Sequence, residues 1–172
     1  MTVTFPASGV SVSSQCRFVT GQCSFDYRVG LPAGVHTVLA NGSGNLTLRG
    51  LSGYVNAADG SGNITGAGLS GSQVALEAGS GNITVSGLTS PRVVASDGSG
   101  DITLIFTKVP SYVHVKNASG NVTLILPPGK TTLYRVNAST SSGNRVINVP
   151  NSSLSHRRIT VTDGSGDISI TN

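Results

Sequence analysis

Two stretches of the chain, DGSGD at 97–101 and DGSGD at 163–167, alternate oxygen-bearing side chains with glycine, and DGSGN at 59–63 comes close. Calcium loops place alternating oxygen ligands in a glycine-rich turn in this way. A calcium site would draw on Asp97, Ser99 and Asp101, and likewise on Asp163, Ser165 and Asp167. Against that reading, the equivalent positions one repeat earlier are Ala78 and Asn82, and no distal glutamate completes a loop. The expectation is that these carboxylates bond their own turns and that no metal is held.

Catalysis has little to draw on. Sugar-cleaving enzymes need paired carboxylates on one wall. The chain has only 7 acidic residues, Asp26, Asp59, Glu77, Asp97, Asp101, Asp163 and Asp167, most of them in turns. No Ser-His-Asp order and no nucleophile elbow occurs, and His36, His114 and His156 stand apart. The chain is expected to be no enzyme, with no catalytic residue and no cofactor. Cys16 and Cys23 bracket the loop CRFVTGQC. Metal sites favour shorter spacings and four ligands. A disulfide closing this loop is preferred to two buried thiols, and it implies an oxidising, extracytoplasmic setting.

The net charge of +4 comes from 11 basic residues, Arg17, Arg28, Arg49, Arg92, Lys108, Lys116, Lys130, Arg135, Arg145, Arg157 and Arg158, scattered except for the last pair. A nucleic-acid reader clusters its cations and adds stacking aromatics. The charge is therefore read as solubilising, with no nucleic acid as partner. No run of 18 apolar residues occurs, so any membrane contact is expected through a segment outside this chain.

The elements that carry these residues are legible from repetition. Ser-Gly followed by Asn or Asp recurs with Gly44, Gly62, Gly81, Gly100, Gly120, Gly143 and Gly166, at gaps of 18, 19, 19, 20, 23 and 23 residues. After the glycine come NLTL (45–48), NITG (63–66), NITV (82–85), DITL (101–104), NVTL (121–124) and DISI (167–170); NRVI (144–147) departs from the pattern. Seven and five residues before each glycine stand Thr37/Leu39, Val55/Ala57, Val74/Leu76, Val93/Ala95, Val113/Val115, Val136/Ala138 and Ile159/Val161. Each unit is therefore strand, Ser-Gly turn, strand and wider turn, with side chains alternating in and out.

One such unit buries only half a core, and stacking units about 4.8 Å apart buries the rest. Leu46, Ile64, Ile83, Ile102, Val122 and Ile168 are expected in one inward column. Leu48, Val85, Leu104, Leu124 and Ile170 form a second, with a gap at Gly66. The interior is expected to be narrow, dry and free of large aromatics. Outward, Asn45/Thr47, Asn63/Thr65, Asn82/Thr84, Asp101/Thr103 and Asn121/Thr123 make a polar ladder. Flat threonine grids can order ice, but plain cross-strand pairing is preferred. The residue three before each glycine (Asn41, Asp59, Ala78, Asp97, Asn117, Thr140, Asp163) is read as a further outward turn position. Asn-x-Ser/Thr sequons recur as a by-product of the repeat.

The fold class that follows is all-β: a single-stranded β-helix or β-solenoid of about seven coils, 18–23 residues each, over 31–172, with an N-terminal strand cap over 1–30. Lengthening turns at 126–134 and 149–157 suggest a cross-section that grows toward the C-terminus. The closing DISITN shows no cap, so the last strand is expected to be an open edge.

LPAG (31–34), the serial SGN/SGD-I-T steps, LPPG (126–129) and ITVTDGSGDISI (159–170) resemble the β-strand-repeat family of adhesin-type bacterial cell-envelope proteins. The resemblance covers 16–172, and the cysteine pair before DYRVGLPAG is similar to actinobacterial members. It implies a right-handed β-helix-like fold and an extracytoplasmic, often membrane-anchored place, and it supplies no ligand-binding residues. The expected function is a non-enzymatic, adhesin-like surface module meeting an envelope or extracellular partner, glycan or protein. The alternatives are end-to-end self-association into fibres through the uncapped C-terminal coil, and the sensory ectodomain of an anchored envelope-stress protein.

Overall fold

The computed structural model describes residues 2–4, 11–13, 28–129 and 131–172. The chain divides into two units, Met1–Gly30 and Leu31–Asn172. The first contains an antiparallel pair, β1 (Thr2–Thr4) with β2 (Ser11–Ser13). The Cys16–Cys23 bridge, and most of the segment expected to cap the first coil, lie outside the described residues.

The second unit is a β-solenoid, and among the described residues there is no helix. Each coil contributes two strands. In chain order they are β3 (Thr37–Ser43) and β4 (Leu46–Arg49), β5 (Val55–Ser61) and β6 (Ile64–Ala67), β7 (Gln73–Ser80) and β8 (Ile83–Leu88), then β9 (Arg92–Asp97) and β10 (Ile102–Phe106). The last three coils are β11 (Tyr112–Asn117) with β12 (Val122–Ile125), β13 (Arg135–Ser142) with β14 (Arg145–Asn148), and β15 (Arg158–Ser165) with β16 (Ile168–Thr171). The first strands of all coils form one 7-stranded parallel sheet and the second strands another.

Ile64, Ile83, Ile102, Val122 and Ile168 follow one another in register, with Leu46 pairing Ile64 at one end. All but the half-buried Leu46 are buried. Burying such a side chain contributes roughly 1.5–3 kcal/mol, so the column is the main adhesive of the stack. The gap at Gly66 is occupied: a Cβ there would come 2.8 Å from Val85 Cγ1 and 3.2 Å from Leu69 Cδ1. The wider turns add a third inward wall, in which Ser70 N–H donates to Leu51 O at 3.0 Å and Thr89 N–H to Leu69 O at 3.0 Å. Leu69, Leu88 and Leu126 are buried, and so are Phe106 and Tyr134. The interior therefore does accept large aromatics, in the coils with the longer turns.

Spatial order departs from chain order at the end. The sheets run β13-β15-β11 and β14-β16-β12. The coil at 158–171 inserts between the coil at 112–125 and the coil at 135–148. The expected open C-terminal edge is thus corrected: β16 is paired on both sides, by β12 and β14. Among the described strands of this unit, β13 and β14 at one end and β3 and β4 at the other pair on one side only. Self-association through the last coil in sequence loses its basis. The long turns at 126–134 and 149–157 carry the chain past an extra coil height of about 4.8 Å and back again.

The irregular repeat explains the order. Arg145 occupies the level of Ile168, so the NRVI coil cannot continue the aliphatic column and is suited only to its end. Ile168 and Ile170 are buried, whereas Val146 and Ile147 are exposed. Arg145 Nη1 donates to Ala138 O at 2.9 Å, laying a cation over the terminal coil. Charged side chains at an edge discourage further strand pairing.

Candidate functional site

The turn ladder comes first. Asn63 N–H donates to Asn45 Oδ1 at 3.0 Å, Asn82 N–H to Asn63 Oδ1 at 2.8 Å, and Asp101 N–H to Asn82 Oδ1 at 2.8 Å. The chain continues from Asn121 N–H to Asp101 Oδ1 at 2.7 Å, Asp167 N–H to Asn121 Oδ1 at 3.1 Å, and Asn144 N–H to Asp167 Oδ1 at 2.7 Å. Each side chain thus accepts the backbone N–H of the next coil, so these Asn and Asp residues are committed to the scaffold. Beside them Thr47, Thr65, Thr84, Thr103 and Thr123 stand in register.

The glycines of the steps allow this stacking. Gly100 has φ +148°, and a Cβ on it would lie 2.3 Å from Gly81 O of the coil beneath. Gly44, Gly62, Gly81, Gly120, Gly143 and Gly166 repeat the positive φ. Only a residue without Cβ permits both the conformation and the approach.

The carboxylates of each DGSGD do not converge. Asp97 and Asp163 are buried, whereas Asp101, Asp167, Ser99 and Ser165 are exposed. The position three before the glycine, expected to face outward, faces inward: Asp59, Asp97, Asn117 and Asp163 are all at most 5 % exposed. The reason is strand alternation. Val93, Ala95 and Asp97 are i, i+2 and i+4 and share a face. Asp97 Oδ1 accepts Ser99 N–H at 3.2 Å, but its Oδ2, Asn117 Oδ1 and both Asp163 carboxylate oxygens have no hydrogen-bond partner. Burial pushes the Asp97 carboxyl above its ordinary pKa of 3.8, partly opposed by the Ser99 and Gly98 N–H groups and aided by the charge of Asp101. Burial likewise raises Asp163, opposed by the nearby N–H groups of Ser165 and Gly164.

A different set of residues is gathered on the outer face of the first sheet. The pairing runs Gln73, Arg92, Tyr112, Arg158, Arg135 on consecutive coils. The file extends at its other end to Tyr54 and His36, whose rings lie 5.7 Å apart. The Arg92 guanidinium lies 4.1 Å over the Tyr112 ring, a cation–π contact that fixes both groups. Tyr112 also stacks on His114, centroids 6.4 Å apart. Burial, then the charges of Lys116 and Arg92, hold His114 below its ordinary pKa.

The described carboxylates lie elsewhere. Asp59, Asp97 and Asp163 are inside, Asp101 and Asp167 belong to the turn ladder, and Glu77 is in the file of Ser96 and Lys116. Arg92, Arg135 and Arg158 are exposed.

Beside this file an open cleft of about 540 Å³ is lined by Ser111, Leu133, Ser152, Leu154, Ser155, His156 and Arg157. Its rim is stitched to the file: Arg158 N–H donates to Ser111 O at 3.0 Å and Arg135 N–H to Arg157 O at 2.7 Å. Ser155 Oγ donates to Leu133 O at 2.7 Å and accepts Arg157 N–H at 3.1 Å, holding the loop in place.

Folding therefore brings Arg92, Arg158 and Arg135, far apart along the chain, into one file. The signal was available in the repeat: His36, Tyr54, Gln73, Arg92, Tyr112, Arg135 and Arg158 each immediately precede the first inward residue of their coil. A family model described as Toastrack DUF4097 matches residues 35–171. No curated protein and no solved structure matches the chain.

Proposed function

The chain belongs to the Toastrack DUF4097 family, and from that premise we propose that it is a non-enzymatic, adhesin-like surface module that binds an envelope or extracellular partner through the outside of its solenoid. One observation carries the reading: a continuous outer file of aromatic, polar and cationic side chains, His36 to Arg135, beside an open cleft. The stacked coils hold these groups at about 4.8 Å intervals, so little ordering entropy is lost on binding. An extracytoplasmic place is part of the proposal and is supported by the Cys16/Cys23 pair of the sequence.

The reading is tested by presenting the purified chain to isolated cell-envelope polymers and to envelope protein fractions. Saturable binding to envelope material is expected. Absence of binding to every fraction, from a chain that melts cooperatively, overturns it.

A further inference from the structure

We propose that the file Tyr54, Arg92, Tyr112, Arg158 and Arg135 is the binding track for a linear anionic polysaccharide, a site that rests on the surface-module reading and narrows it. Three guanidiniums stand on the four consecutive coils that carry Arg92, Tyr112, Arg158 and Arg135, all in register on one face. Guanidinium forks match carboxylate or sulfate oxygens in bidentate fashion. The carboxylates placed above offer these arginines no competing partner in their own file. Arg157 adds a cation to the lining of the cleft beside it.

The shape of the track selects a polymer. Six rungs about 4.8 Å apart, from Tyr54 to Arg135, make a single file about 24 Å long. A stable protein partner needs a broad patch of about 800 Å² on each side, which one file does not provide. A single extended strand lies along it without waste. The aromatic rings argue against nucleic acid. Tyr112 is covered by Arg92 on one side and neighbours His114, and Tyr54 meets His36. Base stacking requires rings that are free. Rings held among arginines still offer edges and hydroxyls to sugar.

The coil exchange sets the order of the cations within the track. Were the coils stacked in chain order, Arg135 would follow Tyr112 and Arg158 would close the file. In the observed order Arg158 lies between Tyr112 and Arg135, so it is the central cation.

The test is calorimetric titration of the full chain with polygalacturonate, with dextran and with single-stranded DNA. Polygalacturonate is expected to bind, more weakly as salt rises, and dextran to give no heat. The triple variant Arg92→Ala, Arg135→Ala, Arg158→Ala should weaken polygalacturonate binding by about tenfold or more, since each charge-assisted contact is worth that order. Arg158→Lys should restore only part of the loss of Arg158→Ala. Arg49→Ala, exposed on β4 of the other sheet, should bind like the parent. An unchanged melting temperature establishes that the triple variant is folded. Equal binding of dextran, tighter binding of DNA, or a triple variant that binds polygalacturonate undiminished overturns the track. Envelope polymers that bind while polygalacturonate does not also overturn it, and leave the surface module standing. A chain that binds nothing in either experiment removes both.

Discussion

Tyr112 is paired in register with Arg158 and not with Arg135, which holds the equivalent position in the next coil along the chain. That one relationship records the exchange of the last two coils. It moves that edge of the solenoid from the C-terminal strands to an interior stretch of sequence, and it sets the order of the cations in the file.

The exchange predicts unequal costs for two isoleucines. Ile168 is 1 % exposed and sits between Val122 and Arg145, whereas Ile147 is 40 % exposed on the terminal coil. Ile168→Ala should cost about 2–5 kcal/mol, the range for emptying a core site. Ile147→Ala should cost about 1 kcal/mol or less. Urea unfolding of the two variants checks this, and comparable costs would contradict the order.

Gly100→Ala and Gly68→Ala separate steric from conformational strain. Both glycines have positive φ, but a Cβ on Gly68 meets nothing within 4 Å, while one on Gly100 meets Gly81 O at 2.3 Å. Gly68→Ala should cost about 1 kcal/mol from backbone strain alone. Gly100→Ala should cost clearly more, because the coils must part. Thermal denaturation of the pair decides.

The buried acids give a pH dependence of definite sign. The folded pKa values of Asp97 and Asp163 are raised above the ordinary 3.8. The folded state then holds these protons more tightly than the unfolded chain does. Their contribution is fully present below the unfolded pKa and is lost as pH rises through the folded values. Asp163→Asn should therefore raise the melting temperature at neutral pH and flatten its fall between about pH 3.8 and the raised folded pKa. Asn117 already occupies the equivalent position of the coil beneath. A variant melting below the parent at pH 7 would refute the assignment.

Arg145 is expected to guard the free edge. Its guanidinium binds Ala138 O where a further coil would sit, and it places charge where the column needs an aliphatic. Arg145→Ile should leave the fold intact and produce concentration-dependent self-association in sedimentation velocity. A variant that stays monomeric at high concentration would show that the edge is protected by other means.

Much of this architecture is determined by the sequence alone. Period-two alternation and the Ser-Gly-Asn/Asp steps specify strands, turns and the aliphatic columns, because side-chain direction and glycine conformation are local properties. Alternation also specified that Asp97 and Asp163 face inward, although their acidity suggests a surface. Only the tertiary structure decided which coils touch. Stacked coils of nearly equal shape can pair in several orders, and the choice falls to small differences in burial. Ile168 completes a column that Arg145 interrupts, so the later coil moves inside. The arginines therefore meet across coils, where long-range pairing, rather than spacing along the chain, decides what stands next to what.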